Sequence, residues 1–186
     1  MLTQAGSRSV ELTPRRRLAR EVTIGDVVIG GTQPIAVQSM TTTFTADAEA
    51  TAAQVIELAR AGCDIVRVTV PSKRDANALS EIRRRMAAEN VHVPLVADIH
   101  FTPKLALQVV EHVEKVRINP GNFVDKKSLK GEAYDDERWE RDLARAHEMF
   151  APVVDRAREL GVALRIGTNH GSLSARILSF YGDTPK

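Results

Sequence analysis

The sequence predicts an α/β fold: a partial TIM (β/α)8-type barrel with about five βα units behind an N-terminal hairpin. Short segments in which apolar and polar residues alternate, as in strands, take turns with segments of helical periodicity. This order implies parallel strands joined by right-handed helical crossovers. Polar residues also stand at the carboxyl ends of the predicted strands, where barrels of this class hold their active sites.

An open doubly wound sheet is the alternative architecture. Such a sheet would cover both faces of its strands with helices, and three arginines and Asp98 on one strand face argue against that arrangement. The chain also lacks the GxGxxG and GxxxxGKS/T phosphate loops that accompany nucleotide-binding sheets. The barrel is therefore the favoured architecture.

The strands are predicted from residue alternation and from the turn residues that bound them. Residues 21–31 predict a hairpin with Gly25 and Asp26 at its turn. Five barrel strands follow, at residues 34–40, 65–70, 93–99, 115–119 and 162–167.

The segments between the first four strands carry residues that favour helix starts and ends. A side-chain oxygen at the first position, a capping box, and proline in a first turn all satisfy or avoid unpaired backbone N–H groups. The predicted starts are Thr45 or Asp47, Ser72 with Asp75, and Thr102 with Pro103; the predicted ends are Arg60 with Gly62, about Asn90, and His112.

The fourth and fifth strands are separated by a longer stretch, of which residues 123–148 are interpreted as an insertion. Residues 123–134 predict a polar loop, and Asp135 is expected to open a helix. Proline is favoured in a first helical turn, so Pro152 is expected to begin a second helix that ends at Leu160, with Gly161 as its cap.

Composition favours one domain and excludes several functional classes. The chain has 186 residues and a net charge of +2, with residues 1–20 forming a basic arm and residues 21–186 the barrel portion. Aromatic residues make up only 4% of the chain, so nucleic-acid binding is not favoured. No apolar run is long enough for a membrane span, and no secretory signal is evident, so a cytoplasmic location is expected.

Three arginines recur at equivalent positions of the alternating pattern. Arg67, Arg117 and Arg165 should therefore lie on one face of the sheet, with Asp98 and His100 in the polar positions of a fourth strand. Guanidinium groups that converge on one partly enclosed face need anionic partners, and phosphate fits their planar fork well. The pattern predicts a site for a strongly anionic small molecule, with no metal ligands.

Four strings occur in order along the chain: PIAVQSMT at residues 34–41, VADIHF at 96–101, VRINPGN at 116–122 and RIGTNHGSL at 165–173. Together they closely resemble the 4-hydroxy-3-methylbut-2-enyl diphosphate synthase family. The resemblance covers roughly residues 15–186, and residues 123–148 resemble the longer, plant-like form of the family.

The resemblance implies reductive ring opening and dehydroxylation of 2-C-methyl-D-erythritol 2,4-cyclodiphosphate in isoprenoid biosynthesis. It also implies a [4Fe–4S] cluster, held on three cysteines and a glutamate in a C-terminal domain, with ferredoxin or flavodoxin as electron donor. This chain has one cysteine, Cys63, and about five of eight barrel strands. It is therefore interpreted as an N-terminal fragment without the iron–sulfur domain, inactive alone and completed by the missing portion or by a second chain. A homodimer is a further candidate assembly.

The resemblance also implies roles for individual residues. Arg67, Arg117 and Arg165 would hold the diphosphate, and Asp98 and His100 would orient hydroxyl groups or move a proton. Neutral donors around the diphosphate would be Asn119, Asn122, Asn169 and Ser172, with Met40 and Thr41 at the mouth of the first strand.

Other interpretations stay open at this level. Asp98 is as well explained by an ion pair with one of the arginines as by a substrate role, and Asn122 equally suits a turn. The alternative functions are a dihydropteroate-synthase-like barrel that binds a pterin diphosphate, and a non-catalytic half-barrel module completed by a partner.

Overall fold

The computed structural model describes residues 17–100, 102–119 and 135–168, together with residues 173, 177, 178 and 181. It contains a two-stranded antiparallel hairpin and a five-stranded parallel sheet. The hairpin consists of β1 (Val22–Ile24) and β2 (Val27–Ile29), and the sheet of β3 (Gln38–Met40), β4 (Ile65–Thr69), β5 (Leu95–Ile99), β6 (Lys115–Ile118) and β7 (Ala163–Ile166). The helices are α1 (Ala48–Arg60), α2 (Lys73–Ala88), α3 (Pro103–Val109) and α4 (Asp136–Leu160).

The strand order distinguishes a barrel from a doubly wound sheet. The order is β3-β4-β5-β6-β7, with every neighbouring pair parallel. A doubly wound sheet would reverse its order at a switch point, whereas strands that follow one another without reversal form a barrel wall. The predicted α/β partial barrel is therefore confirmed.

The helices lie on one face of this sheet. Side chains from all four helices form one apolar core with the outward side chains of the strands. The strand contribution to this core consists of Val66, Val68, Leu95, Ala97, Ile99, Val116 and Ile118. The opposite face, which we call the inner face, carries the polar residues that alternate with them.

The N-terminal hairpin covers one end of the inner face. It turns at Gly25, whose φ of +57° suits glycine, as the sequence predicts. Ile24 is fully buried and forms a second apolar cluster with Ile65, Val96 and Ala163 from the inner face. The hairpin therefore closes the inner face near the amino ends of the strands and leaves the carboxyl ends uncovered by this cluster.

The first three helices begin as their cap residues predict. The side chain of Asp47, rather than that of Thr45, accepts the N–H of Ala50 at the start of α1. Ser72 and Asp75 form the expected capping box of α2. Pro103 occupies the first turn of α3, although the side chain of Thr102 makes no capping hydrogen bond.

The prediction of a second helix beginning at Pro152 was wrong. Residues 136–160 form one helix, with Asp135 as its cap and Pro152 in its interior. The helix packs Val153 and Ala157 into the core, and Ala146, Met149 and Phe150 pack against the same core. These positions continue one helical stripe across the proline, and their burial outweighs the cost of the missing N–H. The described part of 123–148 thus belongs to a crossover helix, and residues 120–134 lie outside the described residues.

The first strand is shorter than predicted, since only residues 38–40 of the expected 34–40 pair with β4. Pro34 has no N–H to donate, and the N–H of Val37 donates to the Asp64 carboxylate at 2.7 Å. In the described part of the chain, no helix is long and apolar enough to cross a membrane.

Replacing Pro152 with alanine should stabilise the chain. Pro152 is exposed, so little packing is lost, while alanine restores a backbone donor inside α4. We expect the free energy of unfolding to rise by about 1–3 kcal/mol, measured by urea denaturation. Pro103→Ala is the matched control, because the first turn of α3 requires no N–H. If Pro152→Ala raised the free energy of unfolding no more than Pro103→Ala does, the placement of Pro152 inside α4 would be contradicted.

Candidate anion-binding site

Strand register places charged side chains from four strands on the inner face. Residues paired across neighbouring strands point to the same side of a sheet. The lower row runs through Met40, Arg67, Val96, Lys115 and Ala163. The upper row, nearer the carboxyl ends, runs through Thr69, Asp98, Arg117 and Arg165. The three arginines therefore share one face, as the alternation predicts.

Asp98 joins two of these arginines. It is buried, with 1% of its surface exposed. Its Oδ1 accepts a hydrogen bond from Nη1 of Arg117 at 3.0 Å, and its Oδ2 accepts one from Nη2 of Arg67. Of the two interpretations left open by the sequence, the ion pair is thus present, and it involves two arginines rather than one.

Arg117 is also fixed by the backbone that follows β7. Its Nη2 donates to the carbonyl oxygen of Gly167 at 2.6 Å. A Cβ atom at position 167 would meet Cζ and Cδ of Arg117 at 2.7 and 2.9 Å, closer than side-chain carbons approach. Glycine at 167 therefore leaves the space that the buried guanidinium occupies.

Four buried side-chain atoms have no hydrogen-bond partner among the described residues. They are Oγ1 of Thr41, Nε of Arg67, Nε of Arg117 and Oδ1 of Asn119. Buried polar atoms are nearly always paired in folded proteins, so a group of unpaired ones is typical of a site that binds a polar ligand. All four belong to residues that the family resemblance associates with substrate binding.

Lys115 is an inner-face cation that the sequence analysis missed. It lies in the lower row with 9% of its surface exposed. Burial lowers the pKa of its ammonium group, and the positive charges of Arg165 and Arg67 lower it further. Its spacing of two residues from Arg117 was the available signal. The two rows thus hold four cations and one carboxylate, an excess of three positive charges.

Three further predicted site residues lie at the edges of this cluster. His100 Nε2 lies 3.3 Å from Oδ1 of Asp98, with 41% of its side chain exposed. Arg165 is exposed on β7, and Met40 is partly exposed at the end of β3. Asn122, Asn169 and Ser172 lie outside the described residues.

The described residues do not fit an iron–sulfur cluster. No group of three or more His, Cys, Asp or Glu side chains in that part of the chain could hold a metal ion. Cys63, the single cysteine of the sequence, lies before β4, at the opposite end of the strands from His100. No redox step is assigned to the described residues.

A protein-family model described as the GcpE TIM-barrel domain matches residues 19–186. The chain belongs to this family. It is 55% identical over 172 residues to a 4-hydroxy-3-methylbut-2-en-1-yl diphosphate synthase (flavodoxin) of Leptospira interrogans, covering 92% of this chain and 26% of the relative. It is 47% identical over 172 residues to a relative of the same name from Chlorobaculum tepidum, covering 92% of this chain and 23% of the relative. The chain thus spans about a quarter of the length of the curated relatives it matches.

Solved structures add little to this assignment. A dihydropteroate synthase of Burkholderia cenocepacia, complexed with 7,8-dihydropteroate, has a TM-score of 0.44 and 16% identity, covering 90% of this chain and 72% of that one. A TM-score this low supports no functional argument. The dihydropteroate-synthase-like alternative is not favoured, because the family match and the named relatives agree on a different enzyme.

Removing the charge of Asp98 should destabilise the fold strongly. Asp98→Asn leaves the guanidiniums of Arg67 and Arg117 partly buried without their shared carboxylate. We expect the free energy of unfolding to fall by about 3–5 kcal/mol, measured by urea denaturation. Glu89→Gln removes a carboxylate from an exposed pair with Arg60 and should change stability little. Equal stability of the two variants would show that Asp98 does not hold the cluster together.

Proposed function

We propose that this chain is the substrate-binding barrel portion of a 4-hydroxy-3-methylbut-2-en-1-yl diphosphate synthase, an oxidoreductase of isoprenoid biosynthesis. We further propose that it binds the diphosphate of 2-C-methyl-D-erythritol 2,4-cyclodiphosphate on its inner face. Membership of the GcpE TIM-barrel family supports the first statement. The single observation that carries the second is the excess of three positive charges beside unpaired buried donors.

The geometry of the arginines supports a diphosphate. Arg67 and Arg117 each donate a hydrogen bond from an Nη atom to the Asp98 carboxylate. These hydrogen bonds orient both guanidinium groups in the absence of a ligand. Their Nε groups remain as buried donors without a partner in the described structure. Charge-assisted hydrogen bonds from fixed guanidiniums are strong and geometrically selective for phosphate oxygens, and preorganisation reduces the entropy lost on binding.

Asp98 and His100 are assigned different tasks. Asp98 is buried and accepts a hydrogen bond from each of two arginines, so its main task is to position them. His100 lies beside Asp98 with a partly exposed side chain at the carboxyl end of β5. A histidine held by a carboxylate at the mouth of a site is suited to move a proton to or from a substrate hydroxyl.

The electrons would come from elsewhere in the enzyme. The names of the relatives include flavodoxin, which supports flavodoxin as the donor, with ferredoxin as the alternative. A [4Fe–4S] cluster would supply the two electrons of the ring opening. The described residues offer no ligand set for it, so in this chain the proposal is limited to substrate binding. The predicted cytoplasmic location and the homodimer stay predictions.

Removing the charge of Arg165 tests diphosphate binding with little risk to the fold. Arg165 is exposed, and no described carboxylate pairs with it, so Arg165→Met should leave stability unchanged. We expect the affinity for the cyclodiphosphate to fall by about 1.5–3 kcal/mol, the worth of a hydrogen bond to a charged group, measured by isothermal titration calorimetry. Arg145→Met, on the exposed face of α4, removes the same charge and should bind like wild type.

Three results would count against the proposal. Wild-type chain that binds no cyclodiphosphate would reject it outright. If Arg145→Met and Arg165→Met lowered the affinity for the cyclodiphosphate equally, the loss would reflect net charge and not a contact made by Arg165. Binding of inorganic sulfate as tight as that of the cyclodiphosphate would argue for a general anion site instead.

The isolated 186-residue chain should bind substrate without converting it. A cluster held on three cysteines cannot form on a sequence with one cysteine. We expect no formation of the linear diphosphate when the chain is supplied with iron, sulfide and a chemical reductant, as followed by phosphorus NMR. Turnover under these conditions would overturn the division between binding and redox portions.

A further inference from the structure

Lys115 occupies the floor of the proposed diphosphate site. It lies in the lower row, one residue pair deeper than Arg117 and Arg165. Its neighbours across the sheet in that row are Val96 and Ala163, which belong to the apolar cluster closed by the hairpin. Lys115 is therefore flanked by apolar residues in its own row and lies one row below Arg117 and Arg165.

The charges that surround Lys115 come from four strands, β4 to β7, while β3 contributes the uncharged Met40. They are Arg67 on β4, Asp98 on β5 with His100 beyond it, Arg117 on β6 and Arg165 on β7; the hairpin contributes the apolar Ile24. Asp98 is the single carboxylate of the two rows, and it is shared by Arg67 and Arg117. No described carboxylate lies within ion-pair distance of Lys115, which is among the buried residues.

In the absence of a ligand, a lysine at this position lowers the stability of the fold. A buried cation beside two further cations costs free energy that methionine or leucine at the same position would avoid. An anion that entered the arginine layer from the carboxyl ends of the strands would meet the Lys115 ammonium at the end of its path. A ligand whose negative charge lay next to Lys115 would offset this cost, which explains a lysine at this position.

We propose that Lys115 binds the innermost phosphoryl oxygens of the diphosphate. This inference rests on the proposed function, since it names a further binding residue of the same site. No bond to carbon or phosphorus changes on binding. The Lys115 ammonium donates to the phosphoryl oxygens, and in the fraction of free chain whose amine has lost its proton, the amine takes one up from solvent.

The direction of the proton movement follows from the charges. Burial and the neighbouring Arg165 and Arg67 lower the pKa of Lys115 from 10.5 in the unliganded chain. A bound diphosphate places negative charge against the amine and raises the pKa again. Between the lowered and the restored pKa, the liganded chain holds more protons than the free chain, so binding takes up protons and weakens as the pH rises through that window.

The same pKa shift has a consequence for stability. Because the folded-state pKa lies below the unfolded value of 10.5, the unfolded chain binds more protons between the two. The free energy of unfolding of the ligand-free chain should therefore rise with pH across that window. Lys115→Met should lack this rise and should be more stable than wild type at neutral pH.

The test is isothermal titration calorimetry of the chain with the cyclodiphosphate. Titrations from about pH 7 to about pH 10, each in buffers of different ionisation enthalpy, give the number of protons taken up. The diester phosphates of this ligand carry no proton that titrates in this range, so the count reports the protein. The variants are Lys115→Met, which keeps an unbranched apolar stem, Lys115→Arg, which keeps the charge, and Lys73→Met, an exposed lysine on α2, as matched control.

We expect Lys115→Met to raise Kd by at least about tenfold, equivalent to about 1.4 kcal/mol, and to abolish proton uptake at high pH. Lys115→Arg should bind close to wild-type affinity without proton uptake, because guanidinium stays protonated. Lys73→Met should match wild type in both measurements. If Lys115→Met binds like wild type with an unchanged proton count, this inference fails and the proposed function stands.

A wild-type chain that binds no cyclodiphosphate would instead overturn the proposed function and this inference with it. Folding of each variant is checked by circular dichroism. If Lys115→Met proved unfolded, wild-type proton uptake would decide the matter alone, and a count of zero across the whole pH range would overturn the inference.

Discussion

Two arginines from the strands on either side of Asp98 donate to its two carboxylate oxygens, and the rest of the site depends on this arrangement. A guanidinium on a flexible side chain would lose considerable entropy on binding a ligand. Here the carboxylate fixes Arg67 and Arg117 in advance and neutralises only one of four positive charges. The remaining charge is held in place by the fold, and an anion can compensate it.

The two faces of the sheet separate the charged site from the main apolar core. All four helices pack on the outer face, where the apolar alternation of the strands forms the main core. The inner face contains a small apolar cluster at one end, covered by the hairpin around Ile24. Charged side chains lie on the remainder of that face. The apolar core on the outer face offsets the free energy that their desolvation costs.

Much of this could be predicted from the sequence because period-two alternation fixes which residues share a face. Arg67, Arg117 and Arg165 were assigned to one face on that basis, and strand register places them there. Lys115 was missed because a lysine at the first position of a strand resembles a solvated boundary residue. The prediction that a new helix begins at Pro152 was wrong. The preference of proline for a first helical turn was outweighed by the packing of α4 on the core. The lengths of strand ladders depend on partners such as Asp64 that local patterning does not reveal.

The hairpin also determines how molecules can reach the inner face. Ile24 and its neighbours fill the space near the amino ends of the strands. In the described residues, the charged side chains are therefore reached from the carboxyl ends of the strands and from the two edges at β3 and β7, which have no further strand beside them. A polypeptide that covered the carboxyl ends and both edges would control the entry and the release of a ligand together.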